Sequence, residues 1–77
     1  MGISSYFAKS SETAHTVTYG FGEDRESPTD SLVVDKAALA ADSVSGDRTH
    51  GFRATARAIF RRYRETGQWP ADGSIAS

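Results

Sequence analysis

Four arginines carry the clearest chemical pattern in this 77-residue chain. Arg53, Arg57, Arg61 and Arg64 fall at i, i+4, i+8 and i+11, which lines them up along one side of a helix. Guanidinium groups held so close repel one another unless an anion lies near. The planar fork of arginine matches carboxylate and phosphate oxygens two at a time. Three sources of anion compete for this stripe: the chain's own acidic loop (Glu23, Asp24, Glu26, Asp30), an acidic protein partner, and the phosphates of a nucleic acid. The nucleic-acid reading has the least support. The formal net charge is only −1, no recognition-helix module precedes the stripe, and no single-strand aromatic motif accompanies it.

The other candidates for chemistry do not assemble into a site. His15 reads as an inward-facing residue of a strand, a structural position. His50 falls in the first turn of the arginine-bearing helix, where the positive end of the dipole disfavours its cation. With Asp47 it would make a base and its orienter, but no nucleophile stands at a matching position. Two isolated histidines do not supply the three or four ligands of a metal site. Gly20-Phe21-Gly22 opens like a dinucleotide fingerprint, yet Arg25 takes the place of the third glycine and no helix follows. Glu23, Asp24 and Glu26 lack the ligand rhythm of a calcium loop. There is no cysteine, which removes disulfides, thiolate zinc sites and thiol nucleophiles together. The expectation is a protein that is not an enzyme, with no cofactor, no metal and no small-molecule ligand.

The stripe needs a helix, and the sequence provides one at about 48–66. Asp47 or Thr49 can cap its start. Phe52, Ala56, Ile59, Phe60 and Tyr63 fall within an arc of about 100°, the apolar face of an amphipathic helix. Gly67 supplies a left-handed stop and Pro70 forbids resumption. Trp69, just past the stop, is placed to fold back as an aromatic lid near Tyr63 and Ile59. A helix of this length is marginal alone in water, so its apolar face requires a sheet.

Residues 3–9 read as a first strand and Ser10-Ser11-Glu12 as a polar break. Residues 13–21 read as a second strand with Thr13, His15, Val17, Tyr19 and Phe21 on one face. Residues 31–36 form a third. Ala37–Ala41 reads two ways: a turn and a weak fourth strand near 39–44, the reading adopted, or a short helix at 35–42. Residues 71–77 are a small polar tail that either frays or is pinned by Ile75. The expected fold is α+β: a small antiparallel sheet of three to four strands with one C-terminal amphipathic helix on one face, a single domain over 1–77.

Length and charge bound what this domain can be. A chain this short buries only about 60% of the surface its unfolded form exposes, so the core is lean. No apolar run reaches about 18 residues, so no membrane-spanning helix is expected. Residues 1–47 hold three cations against eight carboxylates, while residues 48–77 hold six arginines against two. Either the halves attract each other within the fold, or the basic half meets an anionic partner. Eleven alanines, seven arginines, two lysines and no asparagine are also what GC-rich coding produces, so arginine placement informs more than arginine number. Met1-Gly2 begins like an acylation signal, but Tyr6 stands where serine or threonine is required. With no secretory signal and no cysteine, the expected location is cytoplasmic.

The strand Leu32-Val33-Val34-Asp35-Lys36, the Arg-rich helix and Glu65-Thr66-Gly67-Gln68-Trp69-Pro70 together resemble a group of short uncharacterised proteins of high-GC bacteria. The resemblance covers roughly the last 45 residues. It implies the strand-then-helix order and brings no activity. Tyr6, if it faces outward from the first strand, is a further anchor for another chain, since tyrosine is favoured at interfaces. The sheet also leaves at least one free edge. The function expected is therefore a small interaction domain binding a protein partner or itself through Arg53, Arg57, Arg61, Arg64 and Tyr6. The alternative is an accessory nucleic-acid-binding protein using the arginine stripe.

Overall fold

Alternation along the second strand sets the layers. Val17, Tyr19 and Phe21 are buried on one face, and the register carries that face across the sheet through Val34, Leu32 and Phe7. The computed structural model describes residues 4–23, 28, 30–44, 46 and 50–76. Within these lie β1 (Ser4–Glu12), β2 (Thr16–Gly22), β3 (Asp30–Asp35), β4 (Ala40–Ser43), α1 (His50–Thr66) and β5 (Asp72–Ala76). The strands form one sheet in the order β4-β3-β2-β1-β5, every neighbouring pair antiparallel. Phe52 and Ile59 on α1 join the sheet residues in one core, with Ala56, Phe60 and Trp69 packed at its margin. This is the α+β architecture the sequence predicts, with α1 on one face. No helix is long and apolar enough to cross a membrane among the described residues.

The sheet has five strands where the sequence predicts three or four. The fifth comes from the expected tail, which pairs with β1 from Ser4↔Ala76 to Ala8↔Asp72. Three contacts steer it there. The Tyr19 hydroxyl donates to the Pro70 carbonyl at 2.7 Å, and the Lys9 amide donates to the Ala71 carbonyl at 2.7 Å. Gly73 then leaves room for the Phe7 ring: a Cβ on Gly73 would stand 2.6 Å from Phe7 Cζ. The strand forms because β1 offers an open edge and glycine fits under an aromatic, neither of which strand propensity registers. The pinning role expected of Ile75 falls outside the described side chains, as do the caps Asp47 and Thr49.

The first hairpin also differs from expectation. Ser10, Ser11 and Glu12 continue β1, with a register shift between Lys9 and Ser11 where Ser10 is the extra residue. The turn lies at Thr13–Thr16 instead. The Thr13 hydroxyl accepts from the amides of His15 (3.2 Å) and Thr16 (2.9 Å), the local bonding that makes threonine a turn former. Thr13 and His15 are therefore exposed turn residues, not inward strand residues. Lys36 locks this turn to the end of β3: its Nζ donates to Glu12 Oε2 and to the Thr13 carbonyl, both at 2.7 Å. Lys9 Nζ reaches Glu12 Oε1 at 2.7 Å. Hydrogen bonding from Lys36, then from Lys9, lowers the Glu12 pKa to about 2.

Candidate functional site: the groove between the helix and the β3–β4 turn

The site begins with a turn. Asp35 closes β3 and its Oδ1 accepts from the amides of Ala37 (3.0 Å) and Ala38 (3.1 Å). That bonding curls Lys36–Leu39 into the link to β4, the turn-then-strand reading of this stretch. The curl leaves Leu39 at φ 53, a left-handed conformation that costs a branched side chain about 1–2 kcal/mol. Leu39 is also 54% exposed. A glycine or asparagine at this position would avoid both the strain and the exposed apolar surface.

Leu39 lines one wall of a groove whose other wall is α1. Arg57, Phe60, Tyr63 and Arg64 complete the lining, around a volume of 350 Å³. The rings are held from behind. Trp69 stacks on Tyr63 with centroids 4.0 Å apart and planes at 14°, and meets Phe60 edge-on at 5.9 Å and 71°. The lid expected near Tyr63 thus forms, with Phe60 as a second ring partner and Trp69 packed against the core that includes Ile59. The backbone behind it is fixed at both ends. Gly67, at φ 76, donates its amide to the Tyr63 carbonyl at 2.7 Å, and Thr66 Oγ1 donates to the Arg62 carbonyl at 2.9 Å. Beyond the ring, Pro70 is held by Tyr19, whose phenol burial pushes up to about 12.

The four arginines are all exposed on α1, but they do not act as one stripe. Arg57 and Arg64 flank the groove. Arg61 turns to Glu65, 3.7 Å away with both side chains well exposed, a pair worth little in water. Arg53 lies one turn before Arg57 and outside the groove lining. Among the described residues Arg57 and Arg64 have no ion pair. The acidic loop expected to neutralise the stripe gives them no partner there, and Asp24 and Glu26 lie outside the described residues. The helix carries five arginines against the single Glu65 and has no acidic residue in its first turn.

Tyr6 is not part of this face. It lies on the opposite side of the sheet, half-buried, where it helps line a 130 Å³ pocket with Ala8, Ser10, Gly20 and Pro28. Asp35, Asp42 and Asp72 share that face by register. Sequence reasoning missed Leu39 as a site residue. The only signal for it is a large apolar side chain in a turn directly after Asp-Lys-Ala-Ala. Among the described residues no group of three or more His, Asp or Glu side chains is placed to hold a metal ion. Comparison with protein families, with curated proteins and with solved structures finds no match to this chain.

Proposed function

We propose that this protein is a small non-enzymatic interaction domain that docks another protein chain in the groove between α1 and the β3–β4 turn. The observation that carries the reading is Leu39: strained, exposed, and lining a groove with two aromatic rings and two arginines that lack an ion pair among the described residues. Backbone strain opposes folding, and strain of this kind clusters where function uses it. Rigid support behind the rings adds to this, because a preorganised wall loses little entropy on binding.

The test is a photo-crosslinking amino acid at position 39, with the same group at position 6 as the control on the other face, introduced in the native host. A discrete protein adduct from position 39, absent from position 6, is expected. No protein adduct at position 39 refutes the reading. The runner-up, an accessory nucleic-acid binder, draws on the surplus of arginine along α1. It requires measurable oligonucleotide binding at about 50 mM salt, where the phosphate contribution is strongest.

A further inference from the structure

Resting on that reading, we infer that the groove takes an extended acidic segment bearing one aliphatic anchor, with carboxylates on both sides of it. The chemistry follows from the lining. Leu39, Phe60 and Tyr63 give an apolar floor and wall, and 350 Å³ is room for one leucine-sized side chain with the backbone beside it. Arg57 and Arg64 stand on the rim, seven residues apart on one helix. At about 1.5 Å per residue their Cα atoms are about 10.5 Å apart along the axis. In an extended segment, side chains at i, i+2 and i+4 point the same way and span about 13 Å. Two long arginine side chains splay enough to cover the difference. The matching pattern is Glu-x-Leu-x-Glu: the leucine enters the groove and each carboxylate meets one guanidinium.

Other occupants fit less well. A second copy offers Leu39 and Val44 as exposed apolar side chains, but neither stands between two carboxylates: the residues two positions to either side are Ala37 and Ala41 for Leu39, and Asp42 and Gly46 for Val44. Acid without a protruding apolar residue satisfies the arginines and leaves the groove empty. A nucleic-acid strand would satisfy the arginines too, but base stacking needs free ring faces. One face of Tyr63 is already taken by Trp69 at 4.0 Å. The wall opposite is a branched aliphatic side chain, not a plane.

Trp69 is the chain's single tryptophan and touches both groove rings, so it reports on the site directly. The experiment titrates the full chain, isotopically labelled, with acetyl-Gly-Glu-Ser-Leu-Ser-Glu-Gly-amide to about 1 mM or above, a range that detects even weak binding. Parallel titrations use the same peptide with alanine for leucine, with lysine for both glutamates, and a short single-stranded oligonucleotide. Expected are amide shifts confined to residues 36–40 and 57–64, a change in Trp69 emission, and saturation. Alanine for leucine should weaken binding about tenfold or more. Arg57→Ala and Arg64→Ala, both at exposed positions, should each weaken it by up to about fivefold, an effect that shrinks as salt rises.

The inference is overturned if the peptide does not bind, if the alanine peptide binds equally well, if the shifts map to Thr18 and Val33 on the other face, or if the oligonucleotide occupies the groove in preference. A sedimentation mass of twice the chain, with the interface mapped to the groove, also overturns it in favour of self-docking. The two readings separate cleanly. A protein adduct at position 39 with a silent peptide discards this partner chemistry and keeps the interaction domain; loss of both discards both.

Discussion

Thr55 offers the sharpest test of how α1 sits on the sheet. Its side chain is only 1% exposed, and its hydroxyl has no hydrogen-bond partner among the described residues. Thr55→Val keeps the branched shape and replaces that hydroxyl with a methyl group. Burying a hydroxyl without a bond costs about 1–3 kcal/mol on the scale set by protein variants. Threonine and valine have nearly equal helix propensity, so the backbone contributes little to the difference. The expected gain is therefore about 1–2 kcal/mol. In a domain of this size each kcal/mol moves Tm by about 4–8 °C. Urea unfolding followed by Trp69 emission and by far-ultraviolet circular dichroism measures it, with an unchanged m value showing that only stability moved. Thr55→Ser is the companion: it keeps the unbonded hydroxyl, loses a buried methyl, and should be destabilised. If Thr55→Val is no more stable than the parent, the hydroxyl has a partner, and a helix carbonyl one turn back is the nearest kind of acceptor. If both variants are neutral, Thr55 does not face the sheet and the orientation of α1 is wrong.

Four further outcomes follow from the geometry. Tyr19→Phe removes the bond to the Pro70 carbonyl and should cost about 1 kcal/mol, with faster amide exchange along β5 than along β3. Gly73→Ala puts a methyl group into the Phe7 ring and should cost about 1–3 kcal/mol by urea unfolding; a neutral result would mean β5 does not lie under Phe7. Glu12 should titrate near pH 2 by carboxyl carbon shifts. Because its folded pKa lies below its unfolded value, its stabilising contribution is present above about pH 4.3 and is lost as pH falls toward 2, and salt weakens it because the group is exposed. Leu39→Gly should stabilise the domain by about 1 kcal/mol through relief of the left-handed strain, while weakening occupancy of the groove; stability and binding moving in the same direction would contradict the role given to this residue.

What the sequence makes legible here is periodic. The alternation Val17-Tyr19-Phe21 and the spacing Phe52-Ala56-Ile59-Phe60-Tyr63 place the two layers because burial enforces periods of two and 3.6. Gly67 and Pro70 mark the end of α1 for equally local reasons. β5 escapes the same logic. Its residues show no strand pattern, and it forms because a tyrosine 51 positions earlier holds Pro70 and because Gly73 tolerates the Phe7 ring. The first hairpin turn is displaced since one threonine hydroxyl collects two amides, which propensity does not weigh against Ser10-Ser11-Glu12. At the site, helical spacing identifies the arginines but not their division. Only the position of the β3–β4 turn separates Arg57 and Arg64, on the groove, from Arg53 and Arg61.

Thr55 and Leu39 both break rules that stabilise folds, and they differ in kind. Thr55 is an unbonded polar group sealed between helix and sheet, where no solute reaches it, so its cost is purely internal. Leu39 is strained in the open, and its neighbours compound the anomaly: guanidiniums that lack an ion pair among the described residues and a wall of aromatic rings braced from behind by Trp69. A sequence that agrees with its fold at most levels and violates several of them at one accessible spot concentrates its cost where a partner can offset it. An acidic chain with an aliphatic anchor would neutralise the arginines and cover the leucine in one step. Among the described residues the sheet face that bears Tyr6 shows no such convergence. The sheet's edge strands hold only four and five residues, and short edges of that kind blunt pairing with other chains. The proposal of a docked partner therefore rests on the helix side, where Leu39, Arg57 and Arg64 meet at one groove.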